Sequence, residues 1–415
     1  MKTRALGAVT AQGVQAGISF VLQVLVARWL GVEELGRFAI LYGLIVVAIA
    51  VVTGFVGDSV VVLDRGDARI RAALQGSALT IALIAAAASS VVLFAVGLVS
   101  GVEAIAFALA MVAFVIEEVV RRLLMASFAF HRVAIADLSG FAVTLAIVLG
   151  VEFAAGGASL ATFLFGIAIG RGVAIGVAVV LLPRDDRRLV PFQRGGFREV
   201  AGYGTWRGFQ QLLRPTLLTI VRLSVGAAAG LAAVGLLEAA RTYVAPVMLV
   251  IAGLTSFLFV DYARDAALEM RTRLRRADRA VGALLLLTAA MAIVALALMG
   301  WAGPLLFGVE LDALSVIGWL AYASSVAAVT PYGSLAAVVG RQSRVFAIRT
   351  GDTVLSVLLV GGALWLGAEP RITPLLLAAG SLLGGLAIRG LVLRPLQRKA
   401  KNSDSDELGD GDPEP

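Results

Sequence analysis

Three stretches of this chain, residues 72–102, 280–309 and 313–340, contain no Asp, Glu, Lys or Arg. Each is longer than the roughly 20 apolar residues that carry a helix across a bilayer core. None shows the apolar–polar alternation of a barrel strand. In hydrocarbon a backbone must satisfy its own hydrogen bonds, and a helix does so within one segment. The rest of the chain has the same character. Sixty per cent of its 415 residues are hydrophobic, 15% are charged, and the mean hydropathy is +0.94. Soluble domains are about a quarter charged. The composition therefore excludes a soluble domain on a single anchor.

Twelve spans are expected, near 5–27, 38–63, 73–99, 104–124, 134–154, 158–182, 203–226, 234–260, 280–300, 313–338, 350–368 and 372–393. The first follows Lys2 and Arg4, like a signal peptide. It is too long for one, carries Gln12, Gln15 and Gln23, and lacks a clear small-residue cleavage site. The fourth is cut short by Glu117, Glu118, Arg121 and Arg122, and the seventh is interrupted by arginines. Basic residues set the orientation. With the N-terminus inside, the outer segments hold only Arg28, Arg37 and Arg371, while the inner segments carry the great majority. The positive-inside rule then predicts both termini on the cytoplasmic side of the membrane. Basic inner loops favour anionic membrane lipid and need no nucleic acid. The acidic tail after Lys401 lacks apolar residues and is expected to be disordered.

Several chemistries have no residues to carry them. There is no cysteine, and His131, expected in an inner loop, is the one histidine, so thiolate and multi-His metal sites are excluded. Gly340-Arg341-Gln342-Ser343 is not a phosphate-binding loop. No nucleophile–base pair is visible. The expectation is a non-enzyme without cofactor or metal.

An internal repeat organises the chain. Gly31 and Gly36, in Leu30–Phe38, recur as Gly230 and Gly235, in Ala229–Leu237, at an offset of 199 residues. Six spans per half make the repeat parallel. The fold class expected is an all-α polytopic membrane protein of about 12 transmembrane helices, in two pseudo-symmetric six-helix lobes around a central cavity. Residues 1–182 form the N-terminal lobe, 183–202 a basic cytoplasmic linker, 203–398 the C-terminal lobe and 399–415 the tail. The same offset brings Gln12, Gln15 and Gln23 onto Gln211, Arg214 and Arg222. At about 100° per residue, Gln12, Gln15, Ser19 and Gln23 share one face of the first helix. Arg207, Gln211, Arg214 and Arg222 share one face of the seventh. A polar stripe in lipid faces protein or a water-filled cavity, and the simplest geometry turns both stripes toward a central cleft.

The segments Ala27–Gly43, Arg121–Leu138, Gly226–Pro246 and Gly303–Leu311 resemble the multidrug/oligosaccharidyl-lipid/polysaccharide exporter superfamily. Within it the chain is most similar to the polysaccharide (O-antigen-type) flippases. The resemblance implies two six-helix lobes in a V, alternating access, and transfer of an undecaprenyl-pyrophosphate-linked oligosaccharide to the outer leaflet. Where the family commonly has an acid in the seventh helix, this chain has Arg222.

Guanidinium groups bind pyrophosphate oxygens in pairs and stay charged. Arg207, Arg214 and Arg222 are therefore candidates for an anionic head group, with Gln211, Gln12, Gln15 and Gln23 as polar company. Snorkelling to either surface is the alternative for Arg207 and Arg222. Arg171 faces the cavity or pairs with Asp137 or Glu152. Glu238 and Arg241 are spaced for a helical ion pair, and Glu117 and Glu118 for a cluster with Arg121 and Arg122. Asp58 is a solvated helix end or a cation ligand. Pro215 is a hinge or a static kink. The expected partners are a lipid-linked saccharide, membrane lipids and glycosyltransferases or a polymerase of the same pathway. Two other functions stay open: a cation-coupled multidrug exporter of the same fold, and a membrane glycosyltransferase or polymerase.

Overall fold

The computed structural model describes residues 2–63, 67–184, 186–187, 190, 195–264 and 268–397. The expected tail, 399–415, and parts of the expected linker lie outside the described residues, as do Arg65, Arg188, Arg194, Arg398, Lys399 and Lys401.

Every long element is a helix. In chain order they are α1 (Lys2–Leu30), α2 (Val32–Val52), α3 (Ala68–Ala95), α4 (Gly101–Ala126), α5 (Phe130–Ala155), α6 (Leu160–Leu181), α7 (197–229), α8 (231–264), α9 (Met270–Phe307), α10 (Ala313–Val338), α11 (Gln342–Trp365) and α12 (Thr373–Ala387). A π-helical turn at Thr53–Gly57 continues α2 into Asp58–Val62, and another at Ile388–Leu393 extends α12. Ten stretches among the described residues are apolar and long enough to span a membrane by length and composition. Twelve follow when 197–264 is divided at Gly230 and the charge-bearing α4 is included. The chain is thus an all-helical, multi-pass membrane protein, as expected. Several helices outrun their apolar cores: α9 begins at Met270, ahead of the arginines at 271–279. His131 lies in the first turn of α5 rather than in a loop, and is exposed.

Local chemistry starts and stops these helices. Ser100 and Ser159 form capping boxes with Glu103 and Thr162, satisfying N–H groups that a helix start leaves unpaired. Asp67 and Asp312 cap α3 and α10 by accepting from the Arg69 and Ser315 N–H groups.

The repeat is visible in the backbone. The connections α1–α2, α3–α4 and α5–α6 take one, five and four residues; those after α7 and α9 also take one and five, and the one after α11 takes four before a 3₁₀ turn at Pro370–Ile372 leads into α12. Gly31 and Gly230, the single-residue connections, have φ/ψ of 89°/176° and 83°/172°. Only glycine enters that region without strain. The seven-residue loop expected between the seventh and eighth spans, 227–233, is in fact this one glycine.

The chain divides into two compact units: residues 1–239 with 306–308, and 240–305 with 309–415. In the first, α4 packs against α3 and α6, and α5 against α6. A core of Ala11, Leu124, Val133, Ala136, Ala178 and Leu182 joins α1, α4, α5 and α6. In the second unit α10 and α11 pack on α12. One core there gathers Tyr262, Leu274, Val281, Tyr332, Leu335, Ile388 and Leu393.

Candidate functional site

Within the first unit, α2 meets α7 and the start of α8 through glycines. A Cβ on Gly36 would lie 2.0 Å from the Leu231 carbonyl oxygen, and one on Gly235 would lie 1.9 Å from that of Val32. Leu231 is Val32 advanced by the repeat offset, so the contact is reciprocal: each glycine receives the other segment's equivalent carbonyl. Toward the other end of α2, a Cβ on Gly54 would lie 2.4 Å from Gly208 Cα, and one on Gly204 2.3 Å from the Phe55 carbonyl. Small residues let membrane helices approach to backbone contact. The π-turn at Thr53–Gly57 lies at the second of these contacts.

This packing fixes where the α7 stripe lies. Arg207 is half-buried, and its Nε donates to Asp58 Oδ2 at 3.0 Å. Arg222 donates from Nε to Glu238 Oε2 at 3.1 Å and from Nη2 to Oε1 at 3.3 Å. Its Nη1 would lie 2.9 Å from a Cβ on Gly43. Gln211 and Arg214, between them, are exposed. Asp58 is thus an ion-pair partner in this structure. Glu238 reaches back across the Gly230 connection to Arg222. Backbone angles stay helical through Pro215; the one non-helical residue between 197 and 264 is Gly230.

The α1 stripe is graded. Gln12 is exposed, Gln15 half-buried and Gln23 buried. Gln23 Nε2 donates to the Ser19 carbonyl at 3.2 Å, and Ser19 Oγ shares a 2.7 Å hydrogen bond with Tyr42. Gln15 Oε1 accepts from Arg121 Nη2 at 3.1 Å.

That last bond leads into a buried ionic cluster on α4, α5 and α6. Arg171 is 7% exposed, and its Nη1 donates to both Glu117 oxygens at 2.8 Å, its guanidinium standing 4.3 Å from the Phe114 ring centroid. Arg121 donates to Glu118 at 3.0 Å and lies 3.1 Å from Asp137. Arg122 donates to Glu118 at 2.8 Å, and Thr53 adds a bond at 3.3 Å. Three carboxylates and three guanidiniums cancel in charge. Arg171 therefore takes the paired reading, with Glu117 as partner. Asp137 belongs to Arg121, and Glu152 accepts from the Ala158 N–H at 2.6 Å. The expected cluster of Glu117 and Glu118 with arginines is present and larger than its own helix. The i,i+3 and i,i+4 spacing marks the members on α4, whereas no local spacing marks Asp137, Arg171 and Gln15 as joining them, and the acid that pairs with Arg171 is Glu117 rather than the expected Asp137 or Glu152.

The α7 stripe thus carries Arg207 and Arg222, each bonded to a carboxylate, and Gln211 and Arg214, whose side chains are exposed. Among the described residues no group of three or more His, Asp or Glu side chains is arranged to hold a metal ion.

Neither a family sequence model nor a curated protein sequence matches the chain. Solved structures do match over nearly all of it. An inward-facing multidrug resistance MATE family transporter of the MOP superfamily aligns at a TM-score of 0.68, with 14% identity, covering 93% of this chain and 95% of the other. The outward-facing form of such a transporter aligns at 0.58, with 13% identity and 96% coverage of each chain. A MOP superfamily transporter from Pyrococcus furiosus, described by a binding pocket of reverse polarity that suggests a different function, aligns at 0.62, with 12% identity and 96% coverage of each chain. Over almost its whole length, this chain has the fold of the MATE transporters of the MOP superfamily.

Proposed function

We propose that the chain is a flippase that moves a lipid-linked, polyprenyl-pyrophosphate-bearing oligosaccharide or polysaccharide precursor across the bacterial inner membrane by alternating access. Residues 1–182 and 203–398 are its two lobes, and both termini are cytoplasmic. The observation that carries this reading is Arg214. It stands midway along α7, inside an apolar span, with its side chain exposed. An arginine at that depth costs at least about 3 kcal/mol, and an anionic cargo offsets that cost. Gln211 and Gln12 are likewise exposed and supply donors for phosphate and sugar oxygens. The prenyl tail stays in hydrocarbon while the head group is neutralised. Arg207 and Arg222 lie on the same face of α7, bonded to Asp58 and Glu238.

The second reading, a cation-coupled multidrug exporter, has its own support. Its fold is that of multidrug transporters, and the buried cluster in the first unit has no net charge. The connections expected on the outer side are at most seven residues long, which weighs against a glycosyltransferase or polymerase site there.

Thermal stabilisation of the purified chain separates the first two readings. Undecaprenyl pyrophosphate should raise the melting temperature of the wild type and leave Arg214→Ala unmoved. Stabilisation by a lipophilic cation, with none by the pyrophosphate lipid, would favour the exporter.

A further inference from the structure

The first unit contains a cavity apart from the α7 stripe. It is a wedge of about 580 Å³ bounded by α3, α4, the end of α6 and the segment after it. Ile116, Val119, Val120 and Leu123 of α4 form its floor. Ala72, Gly76, Ala78 and Leu79 line one wall, where the two alanines and the glycine leave the space, while Val179 and Leu182 line the other. Leu79 is 49% exposed and marks the open side. A cavity of this size lies in the range of small-ligand sites, and its lining is almost wholly aliphatic.

The polar groups are confined to one end. Gln75, Asp186 and Arg187 close the mouth. Gln75 Oε1 accepts from the Val190 N–H at 3.1 Å, which ties the segment after α6 to α3. Arg187 Nε donates to the Leu182 carbonyl at 2.8 Å, and its Nη2 to the Val180 carbonyl. The guanidinium is thereby fixed over the last carbonyls of α6 with donors to spare. Among the described residues, Arg184 and Arg187 follow α6, and Arg69 and Arg71 lie in the first turn of α3, just ahead of the lining residue Ala72. Apolar depth with a fixed cation at one end matches one ligand chemistry: a hydrocarbon chain bearing a phosphate.

We infer that this wedge is a binding site for one anionic phospholipid of the inner leaflet, its acyl chain lying along α4 and its phosphodiester at Arg187. The assignment of leaflet rests on the orientation proposed above; the binding itself does not. The occupant is a membrane lipid rather than the transported cargo, because the wedge ends at the segment after α6 and includes no residue of α1 or α7.

Native mass spectrometry of the full chain, titrated separately with dioleoyl phosphatidylglycerol and dioleoyl phosphatidylcholine, tests it. A single arginine near a membrane surface favours anionic lipid about fivefold. The first phosphatidylglycerol adduct should exceed the phosphatidylcholine adduct by that factor. Arg187→Gln should bring the ratio to about one, and Arg187→Lys should retain most of it. Gly76→Leu should weaken the first adduct of both lipids by filling the wedge. Arg341→Gln, a control that is not among the wedge's lining residues, should change nothing. Equal adducts in the wild type, or a preference that survives Arg187→Gln, would overturn the site and leave only non-specific boundary lipid. Displacement of phosphatidylglycerol by equimolar undecaprenyl phosphate would overturn the choice of a phospholipid. It would leave the flippase reading intact, since that reading is tested at Arg214.

Discussion

The reciprocal glycine contact makes a quantitative demand on the sequence. A Cβ at Gly36 would stand 2.0 Å from a backbone oxygen, where real Cβ contacts essentially never fall below 3.0 Å. The two backbones would have to separate by at least about 1 Å, and neither is a flexible side-chain end. Overpacking of this kind costs about 1–3 kcal/mol. Gly36→Ala and Gly235→Ala should therefore each destabilise the chain by that amount. Because both act on one seam, the double variant should lose clearly less than the sum: a seam already spread for the first methyl admits the second. Gly13→Ala in α1 is the control. Nothing lies within 4 Å of its Cβ, and alanine favours a helix over glycine by about 0.8–1 kcal/mol. The assay is thermal or denaturant unfolding in one detergent, all variants together. Gly36→Ala as stable as Gly13→Ala would refute the backbone contact. Strict additivity would refute the shared seam.

Other expectations follow from the ionic contacts and the connections. Arg171→Ala should destabilise by about 3–5 kcal/mol, because it strands the buried Glu117 carboxylate; Arg171→Met with Glu117→Gln should recover much of that in the same unfolding assay. Glu238→Ala should be similarly harmful through Arg222, whereas Asp58→Asn should cost under about 1 kcal/mol, since Arg207 is 39% exposed and water screens it. Gly31→Ala and Gly230→Ala should each cost about 1–3 kcal/mol through backbone strain, and equal losses at the two positions would reflect their matching φ/ψ.

The helices and the repeat were legible because lipid leaves a chain few options. Uncharged runs longer than a bilayer must be helices, and Gly31 and Gly230 announce the same turn twice. Helix ends were less legible, since α9 and α11 extend as helices into charged sequence that hydropathy assigns to loops. The polar stripes were legible as angles, but their partners were not. Arg222 meets Glu238 because a single-residue connection folds α8 back beside α7, and a longer expected loop concealed that. Arg171 finds Glu117 54 residues away, through the packing of α6 on α4, which no local spacing encodes. Helical periodicity says which residues share a face; only tertiary packing says what that face meets.

The central claim is that this chain carries an anionic lipid-linked saccharide and that Arg214 receives its charge. The most direct measurement is translocation in proteoliposomes holding a fluorescent undecaprenyl-pyrophosphate-linked oligosaccharide, read by the fraction accessible to an external quencher. The account predicts protein-dependent transfer by the wild type and transfer at the protein-free rate by Arg214→Ala reconstituted to the same level. Wild-type transfer no faster than empty liposomes, with export of a cationic dye from the same vesicles, would contradict it, as would full activity in Arg214→Ala.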